Sequence, residues 1–243
     1  MSALRVAAAL ALLAIGFFAL YEIVESPRSG AFEPVITHGR GHLVALTFDD
    51  GPTAGVTGGV LDVLERERVP ATFFVVGRAA RREPDLLRRM AADGDEIENH
   101  SETHAHLNAI FSRAALNAEL AYGDAAVYAA TGRHTRFLRP PFGARDAALI
   151  DAAKRRGMRV VLWSAMLGAE SDRADAPRAR LLRDLLAQVD DGGIVILHDG
   201  DQGRGDRSAR THEAALTGAV IAALRERGYG FVRLDRLVAA NQL

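Results

Sequence analysis

Apolar and polar positions along this chain follow two alternating periods. Short strand-like runs occupy residues 42–48, 71–76, 96–99, 135–138, 159–163, 193–197 and 230–234, most of them rich in β-branched and aromatic residues. Between them stand stretches with helical spacing, such as GGVLDVLERERV, EPDLLRRMAADG and THEAALTGAVIAALRERG, and most end on the glycine that usually stops a helix. Strict alternation of β and α units implies a parallel sheet. Seven such units in roughly 200 residues suit one barrel better than two domains.

The first residues break this pattern. MSALR carries a positive charge, and residues 6–21 are then uncharged and almost wholly apolar. That is a secretory core or a short signal anchor. Residues 1–24 are expected to form the anchor or signal peptide, 25–40 a linker around ESPRSG, and 41–240 the folded domain. No small-residue cleavage site follows at the right distance, and Pro27 spoils the V-E-S candidate, so an uncleaved anchor is favoured. Arg5 should stay cytoplasmic, which places the domain outside, periplasmic on an inner-membrane anchor, or secreted if the segment is removed.

Composition narrows the chemistry. A net charge of −1 gives no reason to expect nucleic acid as partner. There is no cysteine, which excludes disulfides and thiolate metal sites, so any metal must use His, Asp or Glu. A monomer is expected.

In a parallel barrel the chemistry sits at the C-terminal ends of the strands. Here those ends read TFDDG, NHSETH, LRPPFG, LWSAM and LHDG, and titratable residues collect in them. Asp49 and Asp50 stand side by side, although like charges that close raise each other's pKa. His100 and His104 form an H-x-x-x-H pair; on a helical turn they would lie about 5–6 Å apart, suited to one cation. Two solvated loop histidines are the competing reading. One Asp with two His makes a three-ligand set that leaves room for water and substrate, as catalytic zinc requires. Asp50 can then ligate, while Asp49 takes a proton from water activated there. The two prolines of RPPFG (139–143) hold a rigid loop, fit to present a backbone N–H to an oxyanion, and Arg139 can pair with a carboxylate. His198 ends a strongly apolar strand and is either a structural histidine or a general acid.

The ordered set TFDDGPT, HSETH, RPPFG and ILHD resembles the polysaccharide deacetylases, the carbohydrate esterase family 4 or NodB-homology domain. The similarity runs from about Gly41 to Val238. It implies a distorted (β/α)7-type barrel as one domain, and metal-dependent N-deacetylation of GlcNAc-type glycans. Carried over by residue, it implies that Asp50, His100 and His104 bind one divalent ion, usually Zn2+. Asp49 is then the base and Arg139 its tether. The Phe142 N–H completes the oxyanion hole, Pro141 and Phe142 face the substrate, and His198 protonates the leaving amine.

One motif of that family is absent. After Trp163 the pattern expects D-x-x-D-W, but Met166 and Ala169 replace the acids and Glu170 the tryptophan. Glu170, Asp172 or Asp175 are the candidates to compensate. Two other functions compete with glycan deacetylation: hydrolysis of a small non-sugar amide or imide, and glycan binding by a barrel that has lost catalysis.

Overall fold

The structure is a computed structural model that describes residues 3–168, 177–204 and 212–239. Helix α1 (Ala3–Val24) leads into strands β1 (Val35–Ile36) and β2 (Leu43–Asp49). Then come α2 (Thr57–Glu67), β3 (Ala71–Val75), α3 (Gly77–Arg82), α4 (Pro84–Asp93), β4 (Glu96–Asn99), α5 (Arg113–Thr131) and β5 (Phe137–Leu138). The chain continues through α6 (Ala147–Arg155), β6 (Arg159–Val161), β7 (Ala165–Met166), α7 (Arg178–Leu186), β8 (Gly193–His198), α8 (Glu213–Glu226), β9 (Gly230–Phe231) and α9 (Leu234–Ala239).

The strands form one parallel sheet in the order β1-β6-β5-β4-β3-β2-β8-β7, with β9 on the base of β2. β6, next to the end strand β1, and β7, at the other end of this order, are separated by only residues 162–164. One extended stretch therefore pairs with β5 through its first half and with β8 through its second, and this curls the sheet into the expected distorted barrel.

Strand β2 shows how the sequence sets the layers. Val44, Leu46 and Phe48 join the large core with Val60, Leu64, Val220 and Leu224 of the flanking helices α2 and α8. Their neighbours point into the barrel: Ala45 packs with Phe74, Phe137 and Ile194, and α9 closes that inner cluster with Leu234, Leu237 and Val238. Because both faces are covered, the strand reads as a continuous apolar run. Period-two alternation puts Thr47 and Asp49 on the inner face, at the end where the barrel opens.

Two strands escaped the sequence pattern, β1 and β7, each only two residues long. β1 pairs with β6, Val35 opposite Val160, so residues 25–40 are not a free linker. Many apolar side chains of α1 are exposed, Phe17 at 75% and Leu12 and Leu13 at 70%. Among the described residues no helix is long and apolar enough to cross a membrane. The side chains of α1 at positions 3, 4, 7–9, 11 and 20 lie outside that description.

Candidate active site

Parallel register brings Asp49 at the end of β2 opposite His198 at the end of β8. After Asp49 the chain turns sharply, with Asp50 at φ 77°, so that adjacent acids serve one site from different angles. The β8 loop closes on this turn: a Cβ on Gly200 would lie 2.3 Å from the Asp50 carbonyl oxygen, so only glycine fits.

His100 and His104 come together, but not on a helix. The segment after β4 is irregular, with Ser101 at φ 66° and His104 at φ 57°. Its shape is held by local bonds: Ser101 N–H donates to Asn99 Oδ1 (2.8 Å) and His104 N–H to Ser101 Oγ (3.0 Å). The two rings lie 5.0 Å apart, centroid to centroid.

Asp50 Oδ1 stands 3.0 Å from His104 Nε2 and 3.5 Å from His100 Nε2. The donor atoms of Asp50, His100 and His104 all lie within 4.8 Å of one another. The His100 Nδ1–H donates to the Arg139 carbonyl at 2.7 Å, which directs its Nε2 lone pair at the same point. One carboxylate and two imidazole nitrogens, buried and oriented this way, fit a single divalent cation of the zinc type.

Without a cation, the three groups shift one another. Burial raises the Asp50 pKa, but bonds from His100 and His104 outweigh it and hold the group well below the usual carboxylate range. Burial lowers His100, yet Asp49 and Asp50 together leave it raised. His104 ends up lowered, by burial and by repulsion from His100 against the pull of Asp50. Beneath the site, Asp199 is pushed up to about 7 by burial, which its bond from Thr57 opposes and the nearby Asp50 and Asp49 reinforce.

Asp49 is held differently. Arg139, fully buried, donates from Nη1 to Asp49 Oδ1 (2.7 Å) and to Thr47 Oγ1 (2.8 Å), and from Nη2 to the Leu162 carbonyl (3.0 Å). Its guanidinium also lies 4.1 Å from the centroid of the Phe74 ring. The other oxygen, Oδ2, stays 3.7 Å from His100 Nε2, facing the cation position.

The prolines shape the loop after β5. Residues Pro141–Gly143 make a single 3-10 turn in which Phe142 takes φ 62°. The Phe142 ring is 43% exposed at the rim, stacked on His106 at 3.9 Å and edge-on to His104 at 4.8 Å. Sequence reasoning missed His106. Its signal was a third histidine two positions beyond the pair, in HSETHAH.

A cavity of 400 Å³ contains Asp49, Asp50, His100, His104, Phe142 and His198, so six of the eight sequence-predicted residues share it. Arg139 sits behind it as the clamp on Asp49, and Pro141 is buried under the loop. Tyr21, Glu22 and Glu25 also line this cavity, which nothing in the sequence suggested. Met166, in place of an expected acid, is an exposed lining residue. Ala169, Glu170, Asp172 and Asp175 lie outside the described residues.

Parallel strands that deliver an Asp/His/His set and a clamped second carboxylate to one end of a barrel define a hydrolase-type centre. The family model for polysaccharide deacetylase matches residues 37–161, and the chain belongs to that family. It is 36% identical over 210 residues to a chitooligosaccharide deacetylase of Sinorhizobium fredii, covering 84% of this chain and 91% of that one. It is 32% identical over 194 residues to a peptidoglycan-N-acetylglucosamine deacetylase of Listeria monocytogenes, covering 80% of this chain and 38% of that protein. Its fold superposes on a peptidoglycan deacetylase of Bacillus subtilis with a TM-score of 0.70 at 27% identity, covering 84% and 92% of the two chains.

Proposed function

We propose that the protein is a metal-dependent N-deacetylase of a GlcNAc-type glycan, working outside the cytoplasm with α1 seated in a membrane. The observation that carries the reading is the split between the two adjacent acids. Asp50 Oδ1 faces both histidines, while Asp49 has one oxygen clamped by Arg139 and keeps the other toward the cleft, 3.7 Å from His100 Nε2. One acid is built to ligate and the other to accept a proton.

Asp50, His100 and His104 would hold the cation. Bound there, it supplies Lewis-acid polarisation of the acetamide carbonyl and lowers the pKa of the attacking water. Asp49 accepts the proton that water loses as its oxygen bonds to the carbonyl carbon. Arg139, bonded to Asp49 Oδ1, keeps that carboxylate aimed. The Phe142 N–H stabilises the oxyanion, and Pro141 fixes the turn that presents it. His198 hands a proton to the amine nitrogen as the C–N bond breaks, leaving acetate and a free amino sugar. The relatives' glycan substrates and the exposed apolar surface of α1 support the substrate class and the location.

The test is acetate release from N-acetylglucosamine oligomers by the purified full chain, before and after chelation and after zinc is restored. Activity that chelation leaves untouched would remove the metal from the reading. A chain that binds the oligomers without releasing acetate would make it a glycan-binding barrel instead.

A further inference from the structure

The segment that leaves α1 is fastened to the catalytic loop. Arg145, fully buried two residues after Gly143, donates from Nη2 to the carbonyls of Ser29 (2.7 Å) and Ser26 (3.0 Å). Its Nη1 lies 3.3 Å from the carbonyls of Val24 and Gly143, and its backbone N–H donates to Val24 as well (3.1 Å). Desolvating a guanidinium costs several kcal/mol unless its donors are met. Three of these four carbonyls belong to the segment, so the segment is part of the folded domain. Ser29 Oγ ties it further by donating to the Ile23 carbonyl at 2.8 Å.

Fastened there, the segment forms one side of the cleft. Glu25 comes within 3.9 Å of His106, which stacks on Phe142, and its side chain keeps 21% of its exposure. A second cavity of 590 Å³ continues the first along the segment; Glu22, Ser26, Pro27, Trp163 and Met166 line both. The two cavities, 400 and 590 Å³, share these lining residues and so extend the space beyond the Asp/His centre. Apart from the Asp/His centre, the charged side chains lining it among the described residues are Glu22, Glu25 and Glu33 against Arg28.

We propose that residues 21–29, latched by Arg145, are the substrate-selecting wall of the active site, and that Glu22 and Glu25 favour glycan stretches that are neutral or already deacetylated over stretches bearing carboxylates. The carboxylates accept hydrogen bonds from sugar hydroxyls and ammonium groups and repel an acid on a neighbouring sugar. This rests on the deacetylase reading and specifies its substrate.

The full-length protein in detergent micelles, loaded with zinc, is assayed for acetate release from an N-acetylglucosamine tetramer and from an equally long oligomer bearing a carboxylate on alternate sugars. The native protein should prefer the neutral oligomer. The double variant Glu22→Gln, Glu25→Gln should narrow the ratio of kcat/KM values about tenfold, the effect of removing like charges several ångströms away at intermediate dielectric. A purely structural role would leave that ratio unmoved, and an unchanged ratio or a native preference for the carboxylated oligomer overturns the proposal. Arg145→Gln tests the latch separately: KM should rise for both oligomers, and trypsin should cut after Arg28 faster. Unchanged KM with unchanged cutting overturns the latch. No acetate from either oligomer with the native protein would instead sink the deacetylase reading on which this one stands.

Discussion

At the scale of single residues, the two neighbouring acids should fail in different ways. Asp49→Asn keeps a neutral isostere beside the proposed cation site but has no lone pair basic enough for the proton, so metal content should hold while kcat falls by about 10²–10⁴-fold. His104→Ala removes a ligand, so metal content and activity should drop together; full occupancy by elemental analysis would show the ligand set to be wrong. Far from the site, Asp95 is pushed from its ordinary 3.8 to about 6, chiefly by burial, with Asp93 adding to the rise and the Ala71 N–H and Arg233 opposing it. The folded protein thus holds this proton more tightly than the unfolded chain, and stability falls as pH rises through that interval and stays lowered above it. Asp95→Asn can still accept the Ala71 N–H now bound at 2.8 Å. It should stabilise the protein by about 2 kcal/mol at pH 7 and by nothing below pH ~3.5, read by urea denaturation at the two pH values.

At the scale of elements, legibility followed burial and length. Strands β2 and β8 were plain in the sequence because both faces are covered and the apolar run is unbroken. β1 and β7 were not, since two residues carry no period and only their partners make them strands. His100 and His104 were picked out as a pair by type and spacing, yet the expected helical turn is a loop. Positive φ at Ser101 and His104 is imposed by the Asn99 and Ser101 side-chain bonds, which no local propensity announces. The clamp on Asp49 was legible only through the family resemblance, because its Thr47 and Leu162 partners meet Arg139 across the barrel. The loop of residues 140–144 offers a test at this scale. Gly143 sits at φ +71°, and a Cβ there would meet the Glu25 carbonyl at 2.8 Å and Trp163 at 3.0 Å. Gly143→Ala should cost about 1–3 kcal/mol of stability from the left-handed backbone alone. It should also lower kcat/KM by pushing the segment or the loop out of place. A melting temperature and turnover equal to those of the native protein would show that the contact is not tight.

At the scale of the whole molecule, the proposed location is tested at the junction of α1 and the barrel. If α1 is retained in the membrane as proposed, alkaline phosphatase fused after Arg40 should be active, and the protein should stay in the pellet after a carbonate wash. Recovery of a mature chain beginning near Pro27 or Phe32 would show removal of α1 instead. The junction gives that outcome a further meaning. Tyr21 and Glu22 belong to the last turns of α1 and also line the catalytic cavity. Many anchored enzymes swing on a flexible tether and sweep a volume that grows with its length. Here the helix passes directly into the cleft wall, so with α1 in the membrane the working height above the lipid would be fixed by the fold. An enzyme held in that way would meet its substrate by moving sideways in the plane of the membrane, at one short distance from its surface, and lengthening the chain between α1 and the barrel would trade that fixed height for reach.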